Sequence, residues 1–122
     1  MSLLEHRESI CDALAPLDLN TYTHIPGRMD LPGAFVAAGS PYIEQGQTFG
    51  ERLVRFQIAL AVQTGDNLSE TEALDRLIEN AQAALDEAGW VVEEVQQPYM
   101  QDFNNAPALI TIITVSAFET FN

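Results

Sequence analysis

The sequence contains no lysine. Its five cations are all arginine and face 18 aspartates and glutamates, for a formal charge of −13 over 122 residues. Binding a duplex, or an anionic membrane through its headgroups, requires clustered Lys and Arg to offset phosphate charge. Five arginines outnumbered more than three to one do not supply such a cluster. A single cysteine, Cys11, excludes an internal disulfide and a cysteine-rich zinc site, and the expected compartment is a reducing cytoplasm or a particle assembled there. No apolar run approaches the roughly 18 residues of a transmembrane helix. The opening MSLLEHRESI carries acids by its eighth residue and no long apolar core, so it does not read as a secretory signal.

Catalytic patterns are also missing. There is no H-E-x-x-H, no glycine-rich phosphate loop, no G-x-S-x-G and no C-x-x-C. His6 falls on a predicted helix and His24 on a predicted strand, and both read as ordinary solvated or core histidines. The pairs Asp86-Glu87 and Glu93-Glu94 are adjacent in sequence, so their members point in different directions and a shared proton is not expected. The sequence gives no positive sign of an enzyme, and no catalytic residue, metal ligand or cofactor is assigned.

What is present is a foldable composition: 47% hydrophobic residues and 19% charged, within the globular range. At this length one core buries roughly two thirds of the unfolded chain's surface. Ser2 followed three residues later by Glu5 predicts a capping box opening a helix over Leu3 to Ala15, ended by Pro16. Leu3, Ile10 and Leu14 form its stripe, with Cys11 beside it as a buried structural cysteine. Residues 19–25 alternate as a short strand stopped by Pro26-Gly27, and Ala34 to Ala38 is a second short run. The stretch PYIEQGQTFGE reads as a projecting hairpin or loop.

The clearest strand is Leu53 to Gln63, with Val54, Phe56, Ile58, Leu60 and Val62 on one face. Its other face carries Arg55, Gln57, Ala59, Ala61 and Gln63, smooth enough for either solvent or a neighbouring subunit. Ser69 to Glu72 predicts a second capping box, for a helix whose stripe is Leu74, Leu77, Ile78, Ala81, Leu85 and Ala88 and whose C-terminal cap is Gly89. Glu70, Glu72 and Asp75 in its first turns suit the helix dipole and read as a solvated face. Trp90 to Val95 predicts a strand, Tyr99 to Pro107 an aromatic, amide-rich loop, and Ala108 to Phe118 a long, mostly buried strand. This order predicts an α+β fold over 1–122: an antiparallel or mixed β-sheet of about five to six strands with two main helices packed on one face.

Charge is unevenly spread. Residues 1–19 carry −3, with Arg7 against four acids; residues 20–63 are neutral, with Arg28, Arg52 and Arg55 against Asp30, Glu44 and Glu51. Residues 64–94 carry −8 and residues 95–122 carry −2. A subunit contact is expected in the neutral segment, where arginine and aromatic anchors coincide.

The order R-E-S-I-x-x-A-L-A-P-L, P-Y-I-E at 41–44, T-F-G at 48–50, V-R-F-Q-I-A-L-A-V, A-L-D-R-L-I, A-L-D-E-A-G-W at 84–90 and A-L-I-T-I-I-T-V resembles the tail terminator and minor tail proteins of long-tailed (siphovirus-type) bacteriophages, particularly those of actinobacterial hosts. The resemblance spans nearly the whole chain and lies in order and spacing. It implies a small α/β domain without catalytic residues. Such proteins form a homohexameric ring that caps the head-proximal end of the tail tube, stops its polymerisation and docks onto the head-tail connector protein. The implied partners are the chain itself, the tail tube protein and the connector, with DNA passing through the ring without specific binding. The implied location is the virion tail or neck, after assembly in the host cytoplasm.

Composition makes Arg28, Tyr42, Phe49, Arg52, Arg55, Tyr99 and Phe103 candidates for contacts to a neighbouring subunit, tube or connector. Glu93 and Glu94, or the carboxylates of the second helix, would repel DNA phosphate if they line the bore and would serve only solubility if they face outward. Two other readings stand beside the terminator: another neck, connector or tail-completion protein, and a small acidic inhibitor or immunity-type protein that binds a basic enzyme.

Overall fold

Ser2 starts the first helix as the sequence predicts. In the computed structural model, which describes residues 2–63, 67–103 and 106–120, α1 spans Leu3–Leu14. The Ser2 hydroxyl accepts from the Glu5 backbone N–H at 3.1 Å, and the Glu5 carboxylate accepts from the Ser2 N–H at 3.1 Å. Hydrogen bonding from Ser2 holds the Glu5 carboxyl below its ordinary range. Pro16, which has no N–H to continue the ladder, lies in a 3-10 turn over Ala15–Leu17, and Asp18 then turns the chain in the left-handed region at φ 60°.

Six strands follow in one mixed sheet: β1 (Asn20–Tyr22), β2 (Gly33–Gln45), β3 (Glu51–Gln63), β4 (Val91–Val95), β5 (Tyr99–Phe103) and β6 (Ala106–Thr120), with α2 (Asn67–Glu87) between β3 and β4. The spatial order is β1-β2-β3-β6-β4, and β5 also pairs with β6. β1 lies parallel to β2, and every other pairing is antiparallel. β4 and β5 succeed one another along the same side of β6, opposite residues 113–116 and 106–110 respectively. Gln96, between them, keeps contact with β6: its N–H donates to the Ile112 carbonyl at 2.8 Å, and its carbonyl accepts from the Thr111 hydroxyl at 2.6 Å. The α+β class, the strand number and the two helices are those that the sequence predicts.

Several boundaries differ from the sequence reading: β1 covers only Asn20–Tyr22 of the expected 19–25, β3 starts two residues before the expected Leu53, β6 runs two residues beyond both expected ends, and three further differences change the local structure. β2 does not stop at Ala38: it bulges between Ala38 and Ile43 and continues to Gln45, so of the two readings of PYIEQGQTFGE, hairpin or loop, it is the hairpin that forms, as the end of β2–β3. The segment from Tyr99 contains a strand, because β5 folds back on β6 and satisfies its backbone there. α2 begins at Asn67, which places Ser69 inside the first turn instead of at the cap. At the other end Gly89, with φ 94°, reverses the chain as expected, and the Trp90 N–H reaches back to the Leu85 carbonyl at 3.0 Å.

Alternation along β3 separates two cores. Val54, Phe56, Ile58, Leu60 and Val62 face α1 and α2 and pack with Ile10, Leu14, Leu74, Leu85, Trp90, Ile113 and Val115. At its centre Phe56 meets Tyr42 edge-on at 5.5 Å and Trp90 edge-on at 5.8 Å, with the Arg7 guanidinium 5.3 Å from its ring centre. The second face carries a smaller cluster, in which Met29 covers Ala59, Ala61, Ala108 and Ile110. Part of the face that the sequence offers to solvent or a subunit is thus covered by the chain's own 23–32 segment. Cys11 is buried, and burial raises its thiol pKa, as befits a structural cysteine.

Candidate functional site: a carboxylate–arginine cleft on the open sheet face

Beyond the Met29 cluster the second face becomes polar, and the bulge in β2 decides its shape. Four residues, 39–42, stand between the paired positions Ala38 and Ile43, while only Arg55 stands between their partners Phe56 and Val54. The bulge can lie this close only because position 39 is glycine: a Cβ there would stand 2.6 Å from Arg55 Cγ and 2.7 Å from its carbonyl oxygen.

Arg55 is the hub of what results. Its Nε and Nη2 grip the two oxygens of Glu93 at 2.7 and 3.2 Å, while Nη1 donates to Glu44 at 2.6 Å and to the Pro41 carbonyl at 3.1 Å. The Arg55 side chain is 13% exposed, against 30% for Glu93 and 43% for Glu44. The bidentate fork is the stronger geometry for an arginine–carboxylate pair. The Arg55 fork, with help from Ser116, holds the Glu93 carboxyl below the usual carboxylate range, and Glu93 and then Glu44 raise the Arg55 guanidinium further. Glu93 itself sits in a second irregularity, where β4 slips register on β6 between Val92 and Glu94. Beside this network opens a cleft of about 320 Å³ lined by Ser40, Pro41, Arg55, Gln57, Glu93, Glu94 and Thr114.

The sequence-predicted residues divide among different settings. Arg55, Glu93 and Glu94 meet at the cleft. Tyr42 turns to the helix side, half-buried against Phe56, with its hydroxyl accepting from Arg7 at 3.3 Å. Arg52 is partly buried and donates to the Glu51 carbonyl at 3.0 Å. Phe49 stands fully exposed in the hairpin turn, Tyr99 is exposed on β5, and Arg28 is exposed in the segment anchored by Met29. Phe103 pairs through its backbone with Ala106 at the end of β5, and its side chain lies outside the described residues.

Sequence reasoning missed Gln57 and Thr114, which line the cleft, and Glu44, which pairs with Arg55 beside it. The only signal for it was Gly39-Ser40-Pro41 interrupting an otherwise apolar run. The histidines are separate features. His6 is buried edge-on to Trp90 at 5.3 Å, with Nε2 2.9 Å from a Glu119 oxygen but poorly aligned for a hydrogen bond; His24 is exposed. Among the described residues no group of three or more His, Cys, Asp and Glu side chains could hold a metal, and no helix is long and apolar enough to cross a membrane.

No protein-family model matches the chain, and comparison with curated proteins finds no significant relative.

Proposed function

We propose that this protein is a structural component of a long-tailed bacteriophage virion, a tail terminator that assembles as a homohexameric ring on the head-proximal end of the tail tube and docks the tail to the connector. The ordered sequence resemblance carries the reading. The structure supports it with one observation above the rest: a small α+β domain completes its core on the helix side and leaves the opposite face half covered, ending in a hairpin whose Phe49 is fully exposed. An exposed aromatic at a projecting tip suits a protein whose surface is completed by neighbours. In this reading DNA passes the bore without specific binding. Glu72, Asp75, Glu79 and Asp86, exposed along one stripe of α2, provide the negative wall better than Glu93, which Arg55 already neutralises.

The test is electron microscopy of particles made without the gene. Overlong tail tubes are expected. Normal-length tails detached from heads would assign the protein to the connector instead, and unaltered particles would overturn the virion reading. The α2 stripe also favours a second reading, an acidic inhibitor, and a tight one-to-one complex with a basic enzyme would establish it.

A further inference from the structure

We infer that the Arg55–Glu93–Glu94 cleft is a receptor for the Arg28 side chain of a second copy of this chain. The inference rests on the ring reading and names the contact that would propagate it.

The cleft is undercompensated. Among its lining residues Glu93 and Glu94 exceed the single charge of Arg55 by one, Arg55 is further shared with Glu44 beside the cleft, and Glu94 makes no ion pair among the described residues. In the same wall Thr114 is 5% exposed, and its hydroxyl finds no hydrogen-bond partner among the described residues. A buried hydroxyl without a partner carries a desolvation cost that a donor entering the cleft would relieve. Glu94 lies directly opposite Thr114 in the β4–β6 pairing, so a carboxylate and a hydroxyl acceptor flank the same opening. The volume of about 320 Å³ equals about ten waters at ~30 Å³ each, ample for one long side chain.

These features call for a cation with several donors. The chain has no lysine, so a second copy must offer arginine, whose planar fork suits a carboxylate beside a second acceptor. Arg55 belongs to the cleft itself. Arg7 is engaged by the carbonyls of Thr23 and Val36 and by Tyr42, and Arg52 by its own neighbour's carbonyl. Arg76 stands on α2 between Glu72 and Glu79, among acids of its own helix. Arg28 is exposed and engages no partner among the described residues.

Its base is also held in place. The adjacent Met29 is 2% exposed under the sheet, and the next residue's N–H donates to the Tyr22 hydroxyl at 3.0 Å, so little backbone freedom is lost on docking. Donor and receptor are different patches: the covering segment near the β1 edge, and the cleft beside β4. A contact between unlike patches is head-to-tail and closes into a ring when its rotation permits.

A charge-reversal cycle tests this, read by sedimentation of the intact chain up to millimolar concentration at low salt. Arg28→Glu and Glu94→Arg should each weaken self-association by about tenfold or more, and the chain carrying both should recover it. Circular dichroism confirms that each variant is folded. A wild-type chain that stays monomeric, single reversals that associate like wild type, or a double reversal that does not recover overturns the contact. A successful cycle together with unaltered particles after gene deletion leaves the contact standing and removes only the virion reading.

Discussion

The two faces of the sheet are built from the same strands and behave as different materials. On the helix side, residues 54, 56, 58, 60 and 62 of β3 join both helices in one continuous apolar core. One residue out of step, the same strand runs from Ala61 and Ala59, covered by Met29, to Gln57 and then Arg55 in a charged cleft. Alternation dictates that there will be two faces, but what covers each is decided by chain far away in sequence. The helix face is a stability device. The other face is a stability device at one end and a polar opening at the other.

The sharpest break of this contrast is Phe56→Ala. Phe56 is fully buried at the meeting point of Tyr42, Trp90 and Arg7, so its loss should cost about 3–5 kcal/mol in denaturant unfolding. Met29→Ala removes the plug from the second face and should cost about 2–3 kcal/mol, toward the low end for a buried methionine because the site lies under a surface segment. A loss as large as that of Phe56 would mean that the two faces are energetically equivalent.

Arg55→Met should cost less, about 1–2 kcal/mol, because Glu44 and Glu93 left behind are partly solvated. The pH profile checks the same group independently. Glu93 titrates below its unfolded value, so its contribution is complete above an unfolded pKa of about 4.3 and is lost as pH falls through the lower folded value. Unfolding free energy should therefore decline below about pH 4.3, and Arg55→Met should flatten that part of the decline. Smallest of all, Phe49→Ser should leave stability within about 0.5 kcal/mol, since the ring is fully exposed. Under the proposed function the same change should impair assembly, separating folding from contact.

The helix face is readable because periodicity reports it directly: the even residues of β3 and Leu74, Leu77, Ile78, Ala81 and Leu85 of the α2 stripe join the core, while Ala88, past the helix end, is exposed. β5 is not, since tyrosine, amides and proline form a loop-like composition and only pairing with β6 makes the segment a strand. Ser69-Glu72 satisfied the capping pattern, yet helical structure extends two residues further upstream. The cleft was half legible. Arg55, Glu93 and Glu94 were singled out by type, but partners 11 and 38 residues from Arg55 are chosen by the bulge and the strand order, neither of which leaves a periodic trace. Met29, in a proline- and glycine-rich stretch, gave no sign that it would cover a sheet.

The outer border formed by β4 and β5 has a consequence for how copies could stack. It is broken at Gln96 to Pro98 and kinked where Glu93 is squeezed out of register, and Pro98 brings no amide hydrogen. A straight, uninterrupted border would invite strand after strand to join without limit, as in fibrils. Here only short runs of unmatched backbone remain, interrupted by a charged side chain. The irregularity that delivers Glu93 to Arg55 therefore also discourages open-ended growth, and under the proposed function it leaves association to side chains, whose geometry can stop at a fixed number.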